Sequence, residues 1–163
     1  MKKYFLSAFI FFAVFIFFIF SAQASESIRK LRPALSFSLQ DLKGKDYALS
    51  SYKDKQPVAL FFWTTWCFFC RQELKAVNSM YPELQKDGLE VLAIDVQEPV
   101  SRVESFLKKD ALFLPVLLDK NAAVARDYEV MGVPTIIIVD KKGNIVFEGN
   151  HFPKGTYKKL LEE

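Results

Sequence analysis

Residues 63–70 read WTTWCFFC and hold the only two cysteines of the 163-residue chain, Cys67 and Cys70. A spacing of three puts two side chains on one face of a helix, one turn apart. That is within reach of a disulfide, whose Cα atoms lie about 5–6 Å apart. Such a bridge closes a very short loop, so it removes little entropy from the unfolded chain. Two cysteines are also too few for a disulfide scaffold. The pair is better explained by reactivity than by stability. If a helix starts near Cys67, its unpaired amides and positive end favour a thiolate there, and thiolate is the nucleophilic form. Cys70, deeper in that helix, would then resolve a mixed disulfide rather than begin one. Glu73 stands three residues further on along the same side. A carboxylate in that position can accept a proton from Cys70. It can equally be a solvated helix residue paired with Lys75 or Arg71. Phe68 and Phe69 cannot hydrogen-bond a thiolate. They read as an apolar rim for an unfolded or hydrophobic partner, unless one of them packs into the core.

The surrounding elements must hold this dithiol in place. PVALFFW (57–63) is apolar without alternation, as in a strand buried on both faces. From about Cys67 to Lys86, Leu74, Val77, Tyr81 and Leu84 recur at three- and four-residue steps, which marks a helix with one buried face. Gly88 is placed to end it, and Pro82 should kink or split it. Upstream, LSFSL (35–39) alternates like a half-buried strand, followed by a turn at Gly44 and a second short strand. Downstream, the pattern gives a strand at 89–96 and a helix after Pro99. Next come a strand over 112–119, interrupted by Pro115 and so partly at an edge, and a short helix. PTIIIVD, the turn KKGN, IVFEG and a weak final helix close the chain. Strands alternating with helices imply an α/β fold, with a central mixed sheet flanked by helices.

The N-terminus has a different character. MKK precedes an apolar run over 4–20, and Ala22-Gln23-Ala24 fits an export-signal cleavage site. Residues 1–24 are a signal peptide or an uncleaved membrane anchor, residues 25–33 a linker, and residues 34–163 one domain. Either way the domain lies outside the cytoplasm, in a periplasmic, secreted or anchored form, and touches a membrane only through that segment. Removing residues 1–24 takes away Lys2 and Lys3 and no acid, which lowers the formal net charge from +3 to +1. No basic stripe suited to nucleic acid remains.

LFFWTTWCFFCRQE, GLEVLAIDV and GVPTIIIVDKKGNIVFEG together resemble the thioredoxin-like superfamily, in particular its exported TlpA/ResA-like thiol–disulfide oxidoreductases. The resemblance covers residues 34–163. It implies a thioredoxin-like fold with an N-terminal β-hairpin and a central αβ insertion, carried by the stretch from Glu98 to Val130. It also implies that Pro134 is cis and faces the dithiol, and that the Val133 backbone pairs with an extended substrate. Trp66, Phe68 and Phe69 would join Val133 and Pro134 in contacting that substrate. Glu73 matches a functional glutamate, so Cys67, Cys70 and Glu73 are the candidate catalytic residues. No cofactor is implied beyond the redox-active Cys67–Cys70 disulfide. The expected clients are oxidised proteins, including apocytochrome c, and the expected electron donor is a membrane thiol carrier. Departures stand out as well. The dipeptide between the cysteines is Phe-Phe, Phe61 sits where thioredoxins bury an aspartate, and Lys75 replaces a frequent proline. Copper(I) carriage by the cysteines with His151, the only histidine, is an alternative. A non-catalytic binding module is another. A peroxide-reducing relative would carry its thiol in a Pro- and Thr-bearing loop that is not found here.

Overall fold

The computed structural model describes residues 32–110 and 112–161. The expected signal or anchor, and most of the expected linker, lie outside the described residues.

β4 (Val58–Trp63) is fully buried and runs down the middle of a six-stranded sheet. β5 (Glu90–Val96) lies parallel on one side of it, and β6 (Val116–Asp119) lies parallel to β5 at the edge. On the other side are β7 (Thr135–Val139), β8 (Asn144–Gly149) and the two-residue β1 (Arg32–Pro33), each antiparallel to its neighbour. The order is therefore β1-β8-β7-β4-β5-β6. β2 (Ser38–Gln40) and β3 (Asp46–Ala48) form a separate antiparallel hairpin, bridged to β6 between Asp41 and Leu117. Among the described residues four α-helices complete the domain: α1 (Phe68–Lys86), α2 (Val100–Leu107), α3 (Ala123–Asp127) and α4 (Tyr157–Leu161). This is the expected mixed-sheet α/β architecture, with the hairpin at the start and α2, β6 and α3 supplied by the insertion.

Burial on both faces explains why β4 shows no alternation. Ala59, Phe61 and Trp63 face one core cluster, with Leu74, Val77, Tyr81 and Leu84 of α1. Val58, Leu60 and Phe62 face the other, with Leu92, Ile94, Leu117 and Tyr128. Each large apolar side chain buried this way contributes about 1.5–3 kcal/mol. The helix therefore lies where its apolar stripe meets the sheet.

Three local expectations change. Pro82 does not split α1, which runs unbroken to Lys86. The buried stripe formed by Leu74, Val77, Tyr81 and Leu84 spans both sides of the proline and outweighs one missing amide. Gly88 follows at φ +80°, and Leu89 N–H donates to the Leu84 carbonyl, closing the helix end. Arg32 and Pro33, assigned to the linker by composition, pair instead with Ile145 and Asn144 of β8. Ordered structure thus begins before residue 34. The strand expected over 112–119 begins only after Pro115, because proline cannot donate to a ladder.

Candidate active site

β4 ends at Trp63, and the turn Thr64–Trp66 carries the chain into α1. Cys67 is the N-cap of that helix, with extended backbone, and its sulfur accepts the Cys70 N–H at 3.1 Å. The two cysteines form a disulfide with Cα atoms 5.2 Å apart. Their exposures differ in the sense that decides roles: Cys67 is 8 % exposed and Cys70 0 %. Only the first sulfur can meet a partner. When the bridge is opened, that sulfur sits where a helix N-terminus and a backbone N–H stabilise negative charge.

The loop before β7 faces it. The Val133–Pro134 peptide is cis, and the Val133 carbonyl lies 3.7 Å from Cys67 Sγ. Thr135 Oγ1 donates to the Gly132 carbonyl, and Asn150 Nδ2 donates to the Pro134 carbonyl, which pins this loop to the one after β8. Trp66, Phe68 and Phe69 are 66 %, 57 % and 65 % exposed, so neither phenylalanine packs into the core. The two phenyl rings meet edge to face, and the Arg71 guanidinium lies over Phe68. Met131, in the loop that carries Val133, is almost fully exposed.

Glu73 is held differently from either sequence reading. Its Oε1 accepts the Phe152 N–H at 2.8 Å, and its Oε2 lies 3.2 Å from His151 Nδ1. Lys75 pairs with Asp110 instead. Glu73 thus ties α1 to the loop after β8 and makes no hydrogen bond to either cysteine. His151, the copper candidate, is engaged in this contact. Among the described residues there is no group of three or more His, Cys, Asp or Glu side chains placed to hold a metal.

A second set of acids escaped the sequence reading. Asp95, at the end of β5, is 1 % exposed, and Glu98 in the following loop is almost as deeply buried. Glu98 accepts hydrogen bonds from both the N–H and the hydroxyl of Thr65, two residues before Cys67. Its Oε1 is also 3.6 Å from Arg102 Nη1 on α2. Burial pushes the Asp95 carboxyl up from 3.8 to about 8, reinforced by its hydrogen bond with Glu98. The available signal was an acid at the end of an apolar strand. Pattern alone makes it one more residue of the strand at 89–96.

A profile of the AhpC/TSA family matches residues 31–148. The chain belongs to the AhpC/TSA family. Among curated members, it is 36 % identical over 129 residues to the thiol-disulfide oxidoreductase ResA of Bacillus cereus, covering 79 % of this chain and 73 % of that one. It is 39 % identical over 112 residues to ResA of Geobacillus thermodenitrificans, covering 69 % of this chain. That alignment spans 64 % of the Geobacillus protein's length. Among solved structures, StoA of Bacillus subtilis superposes with a TM-score of 0.67 at 25 % identity, covering 77 % of this chain and 96 % of that one. The thioredoxin domain of a thiol-disulfide oxidoreductase from Bacteroides vulgatus gives 0.72 at 24 % identity, covering 83 % and 99 %. For this AhpC/TSA member the fold is thioredoxin-like, as the motifs imply.

Proposed function

We propose that this chain is a thiol–disulfide oxidoreductase acting on proteins outside the cytoplasm, more as a reductant than as an oxidant. The observation that carries the reading is the Cys67–Cys70 disulfide at the start of α1. There the accessible sulfur faces the Val133 carbonyl and its partner is sealed beneath it. Family membership and the ResA relatives support the same chemistry.

In the reduced protein, Cys67 thiolate attacks one sulfur of a substrate disulfide. The substrate S–S bond breaks, the leaving thiolate takes up a proton, and a mixed disulfide joins Cys67 to the substrate. Cys70 then loses its proton and attacks Cys67 Sγ, re-forming the bridge seen here and releasing the second substrate thiol. Two electrons pass from the dithiol to the substrate. Val133 and Pro134 would align an extended substrate segment, with Trp66, Phe68 and Phe69 gripping its apolar side chains. Glu73 would assist proton transfer by relaxing from the 151–152 loop. Apocytochrome c cysteines are a suitable client and a membrane thiol carrier a suitable donor. The N-terminal segment would export or anchor the domain.

Substrate trapping tests this. Cys70→Ser should accumulate mixed disulfides with clients in the native host, and Cys67→Ser should abolish exchange with an oxidised protein substrate. Full reductase activity in Cys67→Ser would refute the assignment.

A further inference from the structure

Asp95 and Trp63 are register partners on parallel neighbouring strands. Val91 and Ala93 of β5 belong to the core cluster that includes Cys67 and Cys70. Side chains alternate along a strand, so Asp95 points to that same face, where α1 packs. One of its oxygens, Oδ2, is buried and has no N–H or O–H donor among the described residues. The Asp95 carboxyl accepts the backbone N–H of Glu98, which favours the anion, but it also meets the Glu98 carboxyl, and burial with that second contact outweighs the first. Two carboxylates cannot share a dry contact as two anions; one proton between them turns repulsion into a charge-assisted hydrogen bond. The surrounding charges do not remove the need for it. Arg102 on α2 is the cation beside Glu98, and its side chain is largely exposed. Asp119 at the end of β6 adds a further negative charge, with its Oδ2 accepting the Ala125 N–H. Among the described residues no charged group of α1 acts on Asp95, and Cys67 and Cys70 do not ionise while bridged.

We propose that Asp95 and Glu98 hold one proton between them and that this proton fixes the turn presenting Cys67, making Asp95 a positioning residue for thiol–disulfide exchange. The proposal rests on the exchange chemistry inferred above. With the proton in place, Asp95 donates to Glu98, and the Glu98 carboxylate grips the N–H and hydroxyl of Thr65. When Asp95 ionises, the two anions repel, and Glu98 is pulled between Thr65 and Arg102. The turn loosens two residues upstream of the attacking sulfur. The raised ionisation of Asp95 puts this transition on the alkaline side of neutrality.

The test uses the full-length protein carrying Cys70→Ser, in which Cys67 is the only thiol. Its alkylation by iodoacetamide, followed from mildly acidic to alkaline pH, should show two inflections, the thiol's own and a second where the acid pair ionises. Asp95→Asn, whose amide still donates to Glu98 but cannot ionise, should lose only the second. Asp95→Leu, which cannot donate, should slow alkylation throughout. An unaltered second inflection in Asp95→Asn would overturn the proposal. Infrared spectroscopy gives a readout independent of reactivity and of Asp95→Leu folding. The wild type at neutral pH should show a protonated-carboxyl C=O band that titrates away at alkaline pH and is missing in Asp95→Asn. Absence of that band in the wild type would sink the proton-sharing pair while leaving exchange chemistry intact. A band present in a protein that exchanges no disulfides would sink the enzyme reading instead.

Discussion

Glu73 and the Asp95–Glu98 pair are acids of the same chemistry placed near the same dithiol, in opposite surroundings. Glu73 receives a backbone N–H and faces an imidazole at the rim. Both contacts suit a carboxylate. Asp95 lies in the core against another carboxyl, with one oxygen lacking any donor among the described residues. That setting suits a protonated acid. The difference shows that proximity to a reactive cysteine does not define an acid's role; the donors around it decide whether it carries charge or a proton. Phe61 sharpens the point. On the central strand, where thioredoxins bury an aspartate, this chain has an apolar ring, and the buried acid stands on the adjacent strand.

Glu98 tests one side of this contrast. Glu98→Ala leaves the Thr65 N–H and hydroxyl buried without their acceptor, at a cost of about 1–3 kcal/mol. Chemical denaturation of the variant would measure it. No loss of stability would mean that the turn is anchored by other contacts.

The pH dependence of stability probes Asp95. Its folded-state ionisation lies near 8, against 3.8 for the free group. Between those values the folded state holds a proton that the unfolded state has released. Asp95's contribution is therefore fully present below the lower value and is lost as pH rises toward the upper one, by up to about 1.4 kcal/mol per pH unit. Above it the loss stops. Denaturation midpoints of the wild type should fall across this window, and Asp95→Asn should flatten the decline. Parallel slopes would show that Asp95 is already ionised.

The smallest effect belongs to Glu73. Because His151 is exposed, His151→Ala should change stability by only about 0.2–1 kcal/mol. Glu73→Gln should nevertheless shift the pH profile of turnover. A profile identical to wild type would leave Glu73 as a purely structural tie between α1 and the 151–152 loop.

Local pattern carried much of this molecule. The strand at 58–63, the helix starting beside Cys67 and the glycine that ends it were legible because each depends on periodicity or on one residue's backbone freedom. Pro82 misled, because propensity is local while the apolar stripe on both sides of it is anchored by the whole sheet. The Phe-Phe dipeptide was open to two readings until the fold showed both rings facing outward.

The order of residues already contains the available chemistry: two thiols at a strand-to-helix junction, a third-residue glutamate, and a Val-Pro-Thr before another strand. Tertiary structure alone decided which carbonyl meets Cys67, that Glu73 bonds to residues 151 and 152, and that Thr65 is held by an acid 33 residues away. The reason is physical. Dihedral preference and apolar spacing are read over a few residues, whereas protonation and positioning depend on burial and donors that converge only when β4, β5 and the loop before β7 come together.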